Sequence, residues 1–277
     1  MIFIKSNVQE LKKLEIFKLT IARFQENIDR IFDEKDLIYF IIEDNKEIGF
    51  FYQNEFQYKY SFRMFIAETQ KRFDIIEFKR LILEIIKDED SKNFVEFSLQ
   101  RNSKNILNKF NRIDAMLEYQ RDSYVFRSLN SINSKFTIYD KIDDYEELTE
   151  FLYLAFEDDE EYCKADWKSM MESFPKASFP HITYLCKKKD KIVGACIGYN
   201  IISLKKIYLY VIAVYPEYRK NHIGEHLIKL FLNSKQEIPF YLDVLESAKP
   251  AISLYEKVGF RKKKIVSAIC LIDKFLL

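Results

Sequence analysis

A short basic stretch, Arg219 to Gly224 (RKNHIG), has the residue types best suited to holding an anion. It follows an apolar run, Ile207 to Tyr215, and precedes an amphipathic pattern. This order predicts a buried strand, a turn and then a helix. Free N–H groups and the positive dipole end at a helix start favour phosphate, and the glycine permits close approach. The stretch, with its arginine and lysine, therefore predicts a diphosphate site.

A second block, Tyr241 to Phe260 (YLDVLESAKPAISLYEKVGF), reads as a strand, a turn and a helix. Pro250 suits the first turn of that helix, and Gly259 suits the residue just past its end. Together the two blocks resemble the signatures of the GCN5-related N-acetyltransferase (GNAT) family. The family's first signature is Arg or Gln, two residues, Gly, one residue, then Gly or Ala. Its second is a strand, an Asn-containing turn and a helix ending in Tyr-Glu-Lys-x-Gly-Phe.

Two positions depart from these signatures. His222 stands where the family usually has glycine, and Ala248 stands where an asparagine is common. Ser247 is a partial substitute for that asparagine. The resemblance extends over the C-terminal half, from about Lys135 to Leu277.

The resemblance implies acetyl-CoA as co-substrate, with its diphosphate in the basic turn and its pantetheine along the preceding strand. The residues expected to contact it are Ile212, Ala213, Val214, Arg219, Lys220, Asn221, His222, Ile223, Gly224, Ser247 and Ala248. His222 and His226 also have the spacing of metal ligands on a helix, but no third ligand is evident. No metal is therefore expected.

Tyr255 resembles the family tyrosine that acts as general acid toward the leaving sulfur, and a phenol can donate that proton. The alternative is that Tyr255 only packs in the core. The base stays open. Asp243 is the catalytic candidate for the general base, although its position also fits a solvated face of the strand, and a water molecule is an equally suitable proton acceptor. The other candidates are Tyr208, Tyr210, Glu217 and Glu246.

The first half of the chain repeats the second at a shift of 145 or 146 residues. The aligned pieces are Leu37–Gly49 with His181–Gly194, Ser61–Ala67 with Ile207–Ala213, Ile75–Ile86 with Asn221–Leu232, Val95–Leu99 with Phe240–Val244, and Ile106–Phe110 with Ala251–Tyr255. Phenylalanine stands at 73, 78 and 110, where the second half has Arg219, Gly224 and Tyr255. The first half therefore reads as a degenerate copy, with chance similarity of two α/β units as the alternative.

These patterns predict the α/β class (α+β mixed sheet), with two tandem acyl-CoA N-acyltransferase-like (GNAT) domains. Each would be a mixed, mostly antiparallel sheet flanked by helices. Residues 1–130 would form the degenerate domain and 131–277 the acetyl-CoA-binding catalytic domain. The polar stretch from Arg127 to Lys135 is the natural link.

The composition favours a cytoplasmic protein. Lys and Arg total 44 against 43 for Asp and Glu, which gives no support for a nucleic-acid partner. The four cysteines form no CxxC pair, and the longest apolar run near the middle is too short to cross a membrane. A monomer or a homodimer is expected.

The leading function is transfer of an acetyl group from acetyl-CoA to a primary amine. A small-molecule acceptor is favoured, with a peptide or protein amine kept open. The acidic stretch Glu157 to Glu161 and Trp167 would suit selection of a cationic amine, or simply an exposed helix start. The alternatives are a non-catalytic acyl-CoA-binding module and a tandem GNAT-like aminoacyl transferase of the peptidoglycan type. The phosphate turn disfavours the last.

Overall fold

The computed structural model describes residues 2–11, 13, 38–43, 46–54, 61–66, 76, 80–81, 93–98, 111–123, 126, 134–156, 167–168, 171, 180–235 and 237–272. By its contacts the chain divides into two compact units. Unit 1 comprises Met1–Met116 with Ile265–Leu277, and unit 2 comprises Leu117–Lys264. The domains predicted from the sequence, 1–130 and 131–277, place the boundary elsewhere and remain a prediction. No helix among the described residues has the length and apolarity needed to span a bilayer.

Unit 1 is built on a mixed sheet. Its strands lie in the order β1-β2-β3-β4-β5-β12, and of the pairs whose register is described only β4 with β5 is parallel. Its elements are β1 (Ile2–Ser6), α1 (Val8–Leu11), β2 (Ile38–Glu43), β3 (Lys46–Asn54), β4 (Ser61–Ile66), β5 (Asn93–Ser98), the first part of β6 (Asn111–Arg121) and most of β12 (Arg261–Ile272). Of the helix predicted over 75–86, only residues 76, 80 and 81 are described, and these are helical.

Unit 2 has the same kind of sheet, in the order β6-β11-β10-β9-β8-β7, with β10 and β11 parallel. The pairs β7–β8, β8–β9 and β9–β10 are antiparallel. Its further elements are β7 (Thr137–Tyr139), α2 (Tyr145–Ala155), β8 (His181–Lys188), β9 (Lys191–Ile201), β10 (Lys206–Val214), α3 (Ile223–Asn233), β11 (Phe240–Leu245) and α4 (Lys249–Lys257). Short 3₁₀ turns cover Ile202–Leu204 and Pro216–Tyr218.

Helix α3 lies directly on β9 because two glycines leave room for it. A Cβ on Gly194 would come within 2.8 Å of Ile223 Cγ2, and one on Gly198 within 2.5 Å of Phe231 Cζ. Those two helix residues are eight apart, so they share one face of α3 with Leu227 between them. This close contact fixes where α3 begins, at the end of β10.

Helix α2 covers the opposite face of the sheet. Asp144 caps it by accepting from the N–H groups of Glu146 and Glu147, which satisfies two of the four free donors at a helix start. Its buried side packs on the sheet in a cluster that includes Leu148, Phe151, Leu152, Ala195, Ile197, Val211 and Ala213. The mixed, mostly antiparallel sheets of both units confirm the predicted fold class.

Candidate active site

The parallel strands β10 and β11 separate after two paired residues. Ile207 pairs with Phe240 and Tyr208 with Tyr241, and no later pair forms although both strands continue. A bulge in β10 lies at this point, because the register with β9 shifts between Leu209 and Val211. A bulge bends its strand and increases the local twist. The result is an unpaired stretch between the C-terminal ends of β10 and β11, referred to below as the cleft.

The β10 backbone offers hydrogen-bonding groups to this cleft. The N–H of Tyr215 donates to Val193, so in the antiparallel alternation the groups of Ala213 point to β9 and those of Ile212 and Val214 point away from it. Of the three strand residues expected to pair with the pantetheine, Ile212 and Val214 therefore face the cleft, and Ala213 does not.

The equivalent strands of unit 1 stay paired. Strands β4 and β5 keep register over five pairs, from Ser61 with Phe94 to Phe65 with Ser98. Partners are 33 residues apart in both units (61 with 94, and 207 with 240). The common offset supports the internal repeat, and the unbroken pairing leaves no cleft along these five pairs. The predicted losses at Phe73, Phe78 and Phe110 lie outside the described residues.

The turn between β10 and α3 adopts the backbone shape that a glycine-rich loop would need. Lys220 has φ 64° and His222 has φ 60°, both in the left-handed region that favours glycine. His222 is also the cap of α3, yet its side chain makes no capping hydrogen bond. The family glycine is thus replaced by a histidine held in the glycine-like conformation.

The N–H groups of this turn are available to a ligand. Within the described part of the chain, the backbone N–H groups of residues 220–225 donate to no carbonyl or side chain, and the first helical bond of α3 is His226 to His222. The Asn221 side chain braces the turn by donating to the carbonyls of Tyr218 and Arg219. Together with the helix dipole, these donors form an anion-binding arrangement that includes Ile223 and Gly224.

Arg219 has a structural task that the sequence did not suggest. Its Nε donates to the Val214 carbonyl at 3.2 Å, and its Nη2 donates to the Ala155 carbonyl at 3.1 Å. These carbonyls end β10 and α2, so the guanidinium ties the end of one element to the other. Lys220 is exposed, and its role as a phosphate-facing cation remains a proposal.

Gly224 lies where three elements meet. A Cβ there would stand 3.4 Å from Leu254 Cδ2 and 3.6 Å from Val214 Cγ2, which are ordinary contact distances. Internal packing therefore does not require a glycine at this position, which leaves ligand approach as its proposed purpose.

Glu225, in the first turn of α3, holds two lysines and was not singled out by the sequence. Its carboxylate accepts from Lys229 at 2.8 Å and from Lys257, and the His222 ring lies 3.5 Å away. The Lys229 and Lys257 hydrogen bonds lower the pKa of this nearly buried carboxyl to about 2. Glu225 thereby links the first turn of α3 to the end of α4.

Tyr255 lies inside unit 2, on the face of the sheet that α3 covers. It is 8% exposed, and its ring meets Phe260 edge-on at 6.0 Å. Burial raises the pKa of its phenol, and the neighbouring Cys196 thiol raises it further. Cys196 pairs with Ile212 across β9 and β10, which places Tyr255 near the level of the open cleft. Within the described residues its hydroxyl makes no hydrogen bond.

Asp243 lies on the other face, beside Tyr208. Burial, and then the charge and the side-chain hydrogen bond of Asp243, raise the pKa of Tyr208 well above its ordinary value. This Tyr–Asp pair sits where the last paired residues of β10 and β11 give way to the cleft. Side chains alternate along a strand, so Tyr208 and Tyr199 face away from Gly198, whose side α3 covers.

The remaining predicted residues have simpler surroundings. Ala248 caps α4 without a side-chain bond, and the Ser247 carbonyl accepts from Lys249 at 2.7 Å. Glu217 is exposed, and Glu246 lies 3.6 Å from Lys262. Trp167 is buried against Phe156, while 157–161 lie outside the described residues. No group of His, Cys, Asp or Glu suited to a metal occurs in the described ranges.

Comparison with known proteins gives a family match for unit 2. Residues 139–260 match the acetyltransferase (GNAT) family model. A curated N-alpha-acetyltransferase from Sulfurisphaera tokodaii is 36% identical over 67 residues, which is 23% of this chain and 40% of that protein. The matched segment thus spans less than half the length of this relative.

Solved structures resemble nearly the whole chain. A GCN5-related N-acetyltransferase from Sphaerobacter thermophilus has a TM-score of 0.65 at 15% identity, over 92% of this chain and 85% of that one. A tandem GNAT protein from the clavulanic acid biosynthesis pathway also has 0.65, at 9% identity over 98% of both chains. At such identities the likeness shows the fold alone. The similarity to the acetyltransferase (GNAT) family is thus shown for residues 139–260 of unit 2, which make up less than half of the chain.

Proposed function

We propose that unit 2 transfers an acetyl group from acetyl-CoA to a primary amine, favouring a small molecule. The single observation that carries this proposal is the cleft between β10 and β11, which opens beside a turn whose backbone N–H groups donate to no described carbonyl or side chain. An extended chain ending in a diphosphate fits this shape. Its polar groups would meet the backbone of Ile212 and Val214, and its phosphates would meet the turn from Lys220 to Gly224.

The proposed acid and base come from opposite faces of the sheet. Tyr255 lies on the α3 face and Asp243 on the other, so a thioester in the cleft would have a proton donor on one side and a carboxylate on the other. This separation suits the reaction, because the amine loses a proton on one side of the thioester carbon while the sulfur leaves on the other.

Tyr255 acts on the leaving sulfur chiefly as a hydrogen-bond donor. A thiol has a pKa of about 8.5, below that of a phenol, so complete transfer of the phenolic proton is uphill. Burial raises the pKa of Tyr255 further, which keeps the phenol protonated throughout the neutral range. A charge-assisted bond to a developing thiolate stabilises the transition state more than the neutral thioester.

Asp243 accepts the amine proton, directly or through water. The amine must be neutral to attack, and a carboxylate within reach both attracts the ammonium form and takes its proton. Tyr208 holds this carboxylate at the closed end of the cleft. Ser247 and Ala248, just after β11, would then border the co-substrate rather than the acceptor.

The acceptor is proposed as a small primary amine, with the α-amino group of a peptide second. The second candidate rests on the similarity to an N-alpha-acetyltransferase over 67 residues. Unit 1, whose β4 and β5 stay paired, is proposed to bind no CoA.

Two assays test the proposal. Acetyl-CoA should stabilise the protein in thermal unfolding, and free thiol should be released when amines are added. Stabilisation without thiol release across a broad amine and peptide panel would leave an acyl-CoA-binding module. No binding at all would remove the transferase assignment.

A further inference from the structure

A row of aromatic side chains crosses four neighbouring strands of unit 2. His181 on β8 lies opposite Tyr199 on β9, Tyr199 opposite Tyr208 on β10, and Tyr208 opposite Tyr241 on β11. Directly opposed residues project on the same side of a sheet. The ring centroids of His181 and Tyr199 are 5.7 Å apart. These four residues therefore lie side by side on one face of the sheet.

Tyr210 extends this surface toward the cleft. It is the residue left without a β9 partner by the bulge, and its ring lies 5.2 Å from Tyr199. It is 37% exposed, whereas the other rings are half-buried. Tyr210 is thus the most exposed member of the row, at the point where β10 leaves β11, while burial of its hydroxyl raises its pKa to about 12.

Asp243 ends the row beside the cleft. It follows Tyr241 by two residues and therefore projects on the same face, where it bonds Tyr208. Neighbouring strands are about 4.8 Å apart. A molecule with its nitrogen at Asp243 would hence place atoms about 5–10 Å away over Tyr199 and Tyr210.

We propose that the aromatic row binds the body of the acceptor, and that this acceptor is a primary amine carrying an aromatic ring two or three carbons from its nitrogen. The inference rests on the proposed transferase function. It names the acceptor's chemical class, which the cleft alone does not. A flat ring gains from edge-to-face or offset contacts with the tyrosines in addition to burial of its surface.

The charge along the row selects against a second cation. Lys206 Nζ lies 4.4 Å from the Tyr241 ring, so one positive charge already lies beside the row at its β11 end. Asp243 is the carboxylate that the described row presents to an acceptor. The second nitrogen of a diamine bound at Asp243 would lie over the tyrosine rings with no described carboxylate to pair with it, whereas an arylalkylamine carries one charge.

Three probes with eight carbons separate these classes: 2-phenylethylamine, octylamine and 1,8-diaminooctane. The purified full chain is assayed for thiol release from acetyl-CoA, and kcat/KM is compared. We expect 2-phenylethylamine to exceed both others by about 3- to 10-fold, the range that an aromatic contact supports. Tyr210→Leu should remove most of that preference, and Tyr210→Phe should keep it.

Matched variants keep the test sharp. Ile202→Ser changes an exposed side chain outside the row and should leave the preference unaltered. Tyr199→Leu is a second variant that should reduce the preference for 2-phenylethylamine. Its unfolding temperature is measured as well, because Tyr199 also packs against the core. Equal kcat/KM for all three amines, or an unchanged preference in Tyr210→Leu, would overturn the inference while leaving the transferase function intact.

Binding distinguishes the two proposals. If no amine releases thiol, calorimetric titration of 2-phenylethylamine into the CoA-bound protein still tests whether the aromatic row binds an arylalkylamine. Tighter binding than octylamine, lost in Tyr210→Leu, would support the row although the transferase proposal fails. Equal or absent binding would refute the row as well. Turnover of a peptide with an N-terminal phenylalanine, but not of 2-phenylethylamine, would also overturn a small-molecule acceptor.

Discussion

Replacing Tyr255 by phenylalanine removes one oxygen atom from the centre of the proposed mechanism. Within the described residues that hydroxyl makes no hydrogen bond, so the change leaves no buried partner unsatisfied. The ring keeps its edge-on contact with Phe260. We therefore expect the free energy of unfolding to change by less than about 0.5 kcal/mol.

Turnover should respond far more. Donation to a leaving group in the transition state contributes roughly 10²- to 10⁴-fold. Because the phenol of Tyr255 is a weak acid in this buried setting, we expect the lower end, a fall in kcat of about 100-fold. That corresponds to about 2.7 kcal/mol of transition-state stabilisation. The Kd for acetyl-CoA should stay within about twofold of its original value.

The assay is steady-state thiol release over a range of pH, with calorimetric titration of acetyl-CoA. Since burial raises the pKa of Tyr255, the wild type should lose no activity from deprotonation of this phenol up to about pH 10. Tyr218→Phe, at a half-buried tyrosine outside the proposed acid–base pair, is a matched control that should retain kcat. A Tyr255→Phe enzyme with kcat within threefold of the wild type would refute the acid role.

Four further substitutions probe the residues around the cleft. Gly198→Ala should lower the free energy of unfolding by about 1–3 kcal/mol, measured in urea, because its Cβ would clash with the Tyr208 carbonyl and would stand 2.5 Å from the Phe231 ring. Arg219→Ala should cost about 1–2 kcal/mol through two lost carbonyl bonds, whereas Lys220→Ala should leave stability unchanged and weaken acetyl-CoA binding severalfold at low salt. Glu225→Gln should remove up to about 3 kcal/mol at pH 7. Its pKa of about 2 lies below the ordinary 4.5, so this stability is present above pH 4.5 and fades as the pH falls toward 2; a variant with an unchanged acid unfolding profile would contradict that account.

Local sequence patterns predicted the elements that form the site. The apolar run before Pro216 and the amphipathic pattern after Gly224 became β10 and α3, because strand and helix periodicities are local properties. The hairpin of β8 and β9 and the helix ending before Gly259 followed the same logic.

Contacts between residues that lie far apart in the chain could not be predicted from the sequence. The basic stretch predicts that Arg219 binds phosphate, yet its guanidinium donates a hydrogen bond to the carbonyl of Ala155, which lies 64 residues earlier in the chain. Which of several acceptors a long side chain reaches depends on tertiary packing. The same holds for the bulge at Tyr210, since a register shift is a property of two strands and not of one.

His222 shows how a departure from a family signature can keep the same backbone. A histidine at φ 60° has a higher conformational energy than a glycine would have, but the surrounding turn and the start of α3 hold it in this conformation. The substitution is visible in the sequence but its backbone conformation is not, because histidine can adopt either the left-handed or the usual right-handed region.

The measurement that bears most directly on the site is calorimetric titration of the full chain with acetyl-CoA and with S-acetylpantetheine, which lacks the diphosphate and the 3′-phosphoadenosine attached to it. With the cleft and turn acting as proposed, acetyl-CoA binds at least 100-fold more tightly, and added salt narrows the difference. Equal affinity for the two thioesters, or no heat of binding for either, would contradict the proposed CoA site.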